Sequence, residues 1–449
     1  MMRGTVREHT HLRAAVESCR VVEGAESWQI GPMPESGRRP ALLVVGAGDR
    51  GATYASFVRD HPELGRVVAV ADVDPVARGR VAKQHRLPHD RQFGDWREAL
   101  TAGMLADAAL ITTQDRLHAA PAIAFAEAGY HILLEKPMAP TAGECRAIVS
   151  AVERAGVLLA VAHVLRYTPY TQRIVSAIRD GAIGDVVGVQ RLEPVGWWHF
   201  AHSYVRGNWR SEAGSSSILL AKCCHDLDWI RYVVGVPVHA VSSFAHRFEF
   251  RPEKRPPAAA DRCVDCSIEG DCAYSAKRLY LGRLSAGDLG WPLSVVSSDP
   301  SPETVVDALR HGPYGRCVYA CDNDVPDHQV VNLELDGGRC SSFTMSAFTP
   351  FTGRRSVVFG TRGWLVGDGE HLEHFDFLTG EQRRLEVESS RGRHGGGDDA
   401  LMRAFLMAVA TRDSAALLSG PRETLETHLA VFAAELARHE HRVVTLDEL

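Results

Sequence analysis

No apolar run in this chain approaches the roughly 18 residues that a membrane-spanning helix needs, so no membrane span is expected. Basic charge is not in excess. Lys and Arg number 50 against 56 Asp and Glu, and a formal net charge of −6 argues against a nucleic-acid binder, which carries a basic face. The N-terminal residues MMRGTVREHTHLRAAVESCR lack the apolar core of a signal peptide, so the expectation is a cytoplasmic protein. In that compartment the ten cysteines should be reduced thiols or metal ligands rather than disulfides. Repeats of fixed period are also missing. What remains is an ordinary globular composition, 45% hydrophobic and 24% charged, on 449 residues, a length that calls for two or three domains.

Residues 1–38 show no clear period and end in the turn-rich GPMPESGRRP, which marks an extension outside the fold. From residue 39 to 163 apolar runs alternate with helical stretches: ALLVVG (41–46), VVAVAD (67–72), AALITT (108–113), HILLE (131–135) and LLAVAH (158–163). Continuous apolar strands separated by helices predict a parallel sheet covered on both faces. Residues 164–395 change style. Alternating runs such as HQVVNLELDGG and RSVVFG predict an α+β domain with a mostly antiparallel sheet, interrupted by a cysteine-rich insertion over about 255–322. Amphipathic helices follow over 396–449 and are expected to pack on the body.

VVGAGDRGATYASF places Gly46, Gly48 and Gly51 directly after a strand and before a helix. Glycines there permit a tight turn, close backbone approach to a pyrophosphate, and close packing of helix on strand. Asp72 ends the next strand, about 20 residues on, where a ribose ligand belongs. An acid at that point favours NAD over NADP, although Asp74 and Arg78 stand close by. The alternative is an ordinary βα turn. The run HILLEKPMAP raises a separate question, because a buried strand ends in Glu135-Lys136-Pro137. Lys136 is either half of a surface charge pair or an ammonium held at the mouth of an α/β sheet.

Taken together, GAGDRG, the acidic end of the second strand, TTQDRLHAAPAIAFAEAGYHILLEKPM and HVLRYTP resemble the glucose–fructose oxidoreductase/inositol dehydrogenase/rhizopine catabolism (Gfo/Idh/MocA) family. The likeness implies an N-terminal Rossmann domain, a C-terminal domain with an open sheet, and hydride transfer between NAD(P) and a carbinol of a sugar, amino sugar or cyclitol. It implies cofactor contacts from Gly46, Gly48, Asp49, Arg50, Gly51, Asp72, Thr112, Thr113, His118 and Glu135, with Lys136 touching both cofactor and substrate. In this family the Lys-Pro peptide is often cis. SSSILLAKCCHDLDWIRYVVG resembles the family's catalytic helix, which places His225 on the histidine of an Asp-x-x-x-His pair and Asp228 on a following acid. The usual aspartate is replaced by Ala221, leaving Lys222 and Asp226 as the nearest titratable substitutes. His225 is the expected general base, since imidazole titrates near neutrality, with Lys222 a second catalytic or substrate-binding group.

Arg166 and Tyr167 match a strand-end pair that borders the cleft in the family. EPVGWWHFAHSYVRGNWR is dense in aromatic and cationic side chains, and from it His199, His202, Arg206 and Trp209 are candidate substrate contacts; an inter-subunit loop is the alternative. Asp327 and His328 are read as a far wall of the pocket. Cys263-x2-Cys266-x5-Cys272, with Cys317 or, as second choice, Cys321, has the pattern of a structural zinc site. Reduced core cysteines or an iron–sulfur cluster are the other readings. The expected function is an NAD(P)-dependent dehydrogenase acting on CH–OH groups of a small sugar or cyclitol, working as a homo-oligomer (dimer or tetramer) through the C-terminal sheet. Two others stay open: redox-neutral, NAD-dependent glycoside cleavage, and a cofactor-binding regulatory protein without catalysis.

Overall fold

The computed structural model describes residues 39–389 and 392–449; the extension expected over 1–38 lies outside them. Six parallel strands form the first sheet: β1 (Ala41–Val45), β2 (Arg66–Ala71), β3 (Gln92–Phe93), β4 (Ala108–Ile111), β5 (His131–Leu134) and β6 (Leu159–Val161), in the order β3-β2-β1-β4-β5-β6. Successive side chains on a strand point to opposite faces, so an apolar run feeds two cores at once. Leu42 and Val44 pack with Phe57 on one face, while Leu43 and Val45 join Phe125 and Ile148 on the other. β3 escaped the apolar pattern because it is only two residues long and half of it is polar. The strand order reverses between β1 and β4, which opens the crevice where sheets of this kind bind ligands.

The second sheet has nine strands: β7 (Val186–Pro194), β8 (Val238–His246), β9 (His328–Leu335), β10 (Arg339–Ser346), β11 (Arg355–Gly360), β12 (Gly363–Gly367), β13 (Leu372–Asp376), β14 (Gln382–Leu385) and β15 (Val444–Thr445). Their order is β14-β13-β12-β11-β7-β10-β9-β8-β15, antiparallel except where β10 meets β7. Buried and exposed residues alternate along β9, because helices cover one face and leave the other open. Between β8 and β9 the chain leaves the sheet to form the cysteine-rich insertion, with its own small core of Tyr280, Leu293, Val305 and Leu309.

The two long C-terminal helices do different work. Gly397–Thr411 returns to the first domain, where Leu401, Phe405 and Leu406 pack into the core beside Leu42 and Phe57. Pro421–Glu440 lies between the domains, against β8 and the helix Cys224–Val234 on one side and the helix Ala142–Ala155 on the other.

Candidate active site

The glycine-rich turn divides its labour among three residues. Gly46 adopts φ +93°, and a Cβ there would lie 2.7 Å from the backbone of Thr112. A Cβ on Gly51 would meet the Gly46 carbonyl oxygen at 2.0 Å. Both glycines are therefore dictated by packing. Gly48 is different: it caps the helix Asp49–Asp60 without a side-chain partner, and nothing lies within 4 Å of where its Cβ would be. The helix N–H groups behind it are free to meet phosphate oxygens, so the turn fits a dinucleotide. Asp72 accepts from the Ala47 N–H and, at 2.8 Å, from that of Asp74, and thus ties the end of β2 to the turn. Arg78 donates to the Asp72 carbonyl at 2.5 Å.

Thr112 binds the Gly46 carbonyl at 2.6 Å, and Thr113 binds that of Leu117 at 3.2 Å. His118 is fully buried, with Nδ1 2.8 Å from the Pro137 carbonyl and Nε2 3.0 Å from that of Thr113. Thr112 and His118, expected as cofactor contacts, therefore spend their hydrogen bonds on shaping the turns around the crevice. The Lys136–Pro137 peptide is cis. Glu135 takes Arg50 Nε at 2.6 Å, the Tyr54 hydroxyl at 2.7 Å and the Lys136 N–H at 3.0 Å. Burial opposes its charge, but Arg50 overrides it and holds the carboxyl below its ordinary range. Arg50 also pairs with Asp398 at the start of the returning helix, and Asp49 with Arg393 at 2.9 Å.

Lys136 Nζ donates to the Ala221 carbonyl at 2.6 Å. The segment likened to the family's catalytic helix breaks there into Ile218–Ala221 and Cys224–Val234. The position that lacks the usual carboxylate thus still meets the lysine, through its main chain. One turn on, His225 is buried, with its ring centroid 5.7 Å from His163 and 6.1 Å from His394. Burial first, and then the charges of Lys136 and His163, push its pKa well below 6.5. His163 is driven to about 3, chiefly by burial. Asp228 does not serve His225: it takes Arg166 in a two-pronged pair at 2.6 and 2.8 Å. Arg166 also donates to the Leu418 carbonyl, and the Tyr167 hydroxyl lies 2.9 Å from that of Ser419. Arg166 and Tyr167, expected at the cleft border, are buried fasteners of the chain before the last long helix.

Asp226 is not available as an acid or base either, being clamped by Arg191 and Arg354 at 2.7 Å each. Burial opposes its ionisation, but Arg354 and then Arg191 keep its carboxyl below the usual range. Arg354 also meets Glu193 at 2.7 Å, and Glu193 lies 3.6 Å from Lys222 Nζ. Arg354 and Glu193 were missed in the sequence because the pairing joins β7, the broken helix and the start of β11. Beside this network stands an aromatic wall: His199 lies 4.9 Å from Trp291 and 5.3 Å from Phe351, and Trp198 lies 4.9 Å from Phe351. Burial, and then Lys222, lower the His199 pKa well below 6.5. Trp209 is 42% exposed at the rim, its ring 6.4 Å from Tyr204.

Four expected substrate contacts are corrected, three by their partners and His328 by its place on the sheet. His202 bonds the Tyr280 hydroxyl at 2.7 Å and stacks on Tyr314 at 4.8 Å, and Arg206 donates to the carbonyls of Arg316 and Tyr274 at 2.8 Å. Both are occupied by the insertion. Asp327 is fully buried and accepts the N–H groups of Phe248, Glu249 and Phe250 at 2.9, 2.8 and 3.3 Å, so it holds a turn. His328 is exposed on the open face of the second sheet, opposite His246. Cys263, Cys266, Cys272 and Cys317 line one cavity in the insertion, and Cys321 is not part of its wall.

Comparison with known proteins agrees with this geometry. The family model described as an oxidoreductase family with an NAD-binding Rossmann fold matches residues 41–163, and the GFO/IDH/MocA C-terminal domain matches 171–271. Inositol 2-dehydrogenase 1 of Saccharopolyspora erythraea is 36% identical over 274 residues, 56% of this chain and 74% of that protein. Levoglucosan dehydrogenase of Pseudarthrobacter phenanthrenivorans is 30% identical over 199 residues, 43% of this chain and 50% of that protein, so the chain spans about half the length of this relative. A solved levoglucosan dehydrogenase in complex with NADH and levoglucosan superposes with a TM-score of 0.65 at 19% identity, over 91% of this chain and 100% of that one, which speaks for the fold. Among the described residues no helix is long and apolar enough to cross a membrane. The chain belongs to the Gfo/Idh/MocA family of oxidoreductases, with an NAD-binding Rossmann domain joined to that family's C-terminal domain.

Proposed function

We propose that the chain is an NAD-dependent dehydrogenase acting on a carbinol carbon of a sugar-like or cyclitol substrate. The observation that carries this reading is the meeting of Lys136 with Ala221, which sets a strand-end ammonium against the segment four residues before a buried, neutral imidazole. When bound on the Gly46–Gly51 turn, nicotinamide supplies the hydride acceptor or donor. Lys136 keeps further N–H donors for the reacting hydroxyl and orients it. His225 Nδ1 is sealed in protein without a hydrogen bond, so Nε2 is the atom that takes the hydroxyl proton. Lys222, Glu193 and Arg354 offer charged partners to further hydroxyls, and His199, Trp198 and Phe351 offer ring faces of the kind on which sugar rings stack. Arg116 donates to the carbonyls of Glu212 and Ser215 at 3.2 and 3.1 Å, latching the two domains together beside the cleft.

Asp72 supports NAD over NADP, since its carboxylate would repel a 2′-phosphate. Tighter NADP binding by tenfold, about 1.4 kcal/mol, would overturn that preference. The open sheet face, with Phe244, Phe359 and Trp364 exposed, supports a homo-oligomer, and light scattering that shows a monomer would remove it.

The deciding experiment incubates the chain with NAD and a panel of aldoses, anhydrosugars, amino sugars and cyclitols, following NADH and product together. NADH accumulating in step with oxidised product supports the dehydrogenase. Product formed with no net NADH selects redox-neutral cleavage instead. Sugars that shift the melting temperature but are never turned over would point to a binding protein.

A further inference from the structure

The cysteine-rich insertion holds chemistry that hydride transfer does not use. Cys263 and Cys266 form a knuckle, and Cys272 follows on the next short turn. Cys317 arrives from beyond three helices and is locked beside the knuckle by two contacts: a bridge between Arg262 and Arg316, and a 2.8 Å bond from its own N–H to the Asp261 carbonyl. All four line one cavity of about 510 Å³. Cys321 is set apart, its thiol donating to the Cys317 carbonyl at 3.2 Å.

A second observation points to an anionic occupant. Arg206 is 1% exposed and lines the same cavity. Its bonds go to two carbonyls and, at 3.6 Å, to Cys263 Sγ; Nη1 has no hydrogen bond, and the guanidinium has no carboxylate partner among the described residues. Glu249, Glu269 and Asp271 line the same cavity but none of them bonds Arg206, so its charge is left facing the thiols. Four thiolates around a metal would supply the counter-charge.

We propose that Cys263, Cys266, Cys272 and Cys317 are the thiolate ligands of a metal centre that staples the insertion. Spacing bears on which one. Among the described residues the ligand atoms that lie mutually within 4.8 Å are those of Glu212, Glu435 and His439, whose carboxylates Arg438 already pairs; no three of these sulfurs meet that limit. Tetrahedral zinc, with bonds of about 2.3 Å, needs its sulfurs about 3.8 Å apart. The thiols must therefore turn inward to close on one zinc ion, the metal that the Cys-x2-Cys knuckle with two further cysteines suits. Its role is structural, because it ties two turns to the loop after the Arg316 bridge across the helical part of the insertion.

The test purifies the full chain anaerobically without chelator and measures iron, acid-labile sulfide and zinc per chain. One colourless zinc per chain is expected, lost in Cys317→Ser with a melting temperature several degrees lower, and kept in Cys321→Ser. About four irons and four sulfides with a broad visible band, lost in Cys317→Ser, would keep the four ligands and overturn zinc. If Cys317→Ser fails to fold, alkylation of the wild-type chain decides: the four ligand cysteines should resist until chelation, while exposed Cys340 reacts throughout. Neither metal present, with all four thiols labelled at the rate of Cys340 in the folded chain, would overturn the proposal.

Discussion

The nucleotide wall of the cleft is held mainly by main-chain groups, and the proposed substrate wall by charged side chains. On the first, Gly48, Asp72 and Lys136 sit at or beside strand ends, so the parallel sheet places their main chain. On the second, Arg354 reaches Asp226 from 128 positions away, and Glu193 joins the same network from another strand. A wall of backbone groups depends on a few neighbours in sequence and gives way locally. A wall of buried charges is solved only by the completed fold, and it fails as a unit when one member is removed.

Arg354→Met is the harshest way to break the comparison. It leaves Asp226 with Arg191 alone and Glu193 with Lys222 at 3.6 Å, and should lower stability by about 3–5 kcal/mol in urea unfolding. A loss below about 1 kcal/mol would mean that the network does not hold the substrate wall.

Lys136→Met removes a strand-end charge while keeping most of its volume. Turnover should fall at least about 10²-fold with the unfolding midpoint little changed, and unchanged turnover would return Lys136 to a surface-pair role. His225→Asn should lose activity similarly. In the parent protein the acid limb of the rate profile should fall well below pH 6.5, because burial, Lys136 and His163 all disfavour the imidazolium.

Acid should loosen both walls where they meet. His163 and His428 are held neutral, at about 3 and about 4, mainly by burial, whereas an unfolded chain protonates histidine near 6.5. Between those values the unfolded state binds more protons, so stability should be whole above pH 6.5 and decline steadily as pH falls toward 4. His428→Gln should make that decline shallower in melts run across this range.

Gly48→Ala is the mildest change. With nothing within 4 Å of the added carbon, stability should hold while NAD affinity falls about tenfold, because the methyl lies where the pyrophosphate approaches. Gly51→Ala, 2.0 Å from a carbonyl oxygen, should instead destabilise the chain. Calorimetry on the two variants sharpens the contrast between an open glycine and a packed one.

The same division explains what could be read from the sequence. Strand β5 and the turn into Lys136 were legible because an apolar run and the residues after it lie together in the chain. Gly46, Gly48 and Gly51 were legible for the same reason. His202, Arg206 and Asp327 looked like ligand contacts since polar residues in an aromatic or strand context have no visible partners in a linear text. Their partners are the tyrosines and carbonyls of the insertion and the amides of residues 248–250, none of which announces itself by spacing. Arg354 and Glu193 carried no motif at all; only the sheet brings them to Asp226.

The returning C-terminal segment sets the order in which the enzyme becomes complete during synthesis. Arg50 waits for Asp398, Arg166 for the Leu418 carbonyl, β6 for the Ser419 carbonyl, and the Met138 N–H for His428. A ribosome-bound chain can form all six strands of its first sheet early, since domains fold as units from the N-terminus. The crevice around Lys136 nevertheless stays unbraced until residue 428 has emerged, so a chain cut short before that point carries the nucleotide fold without a finished active site.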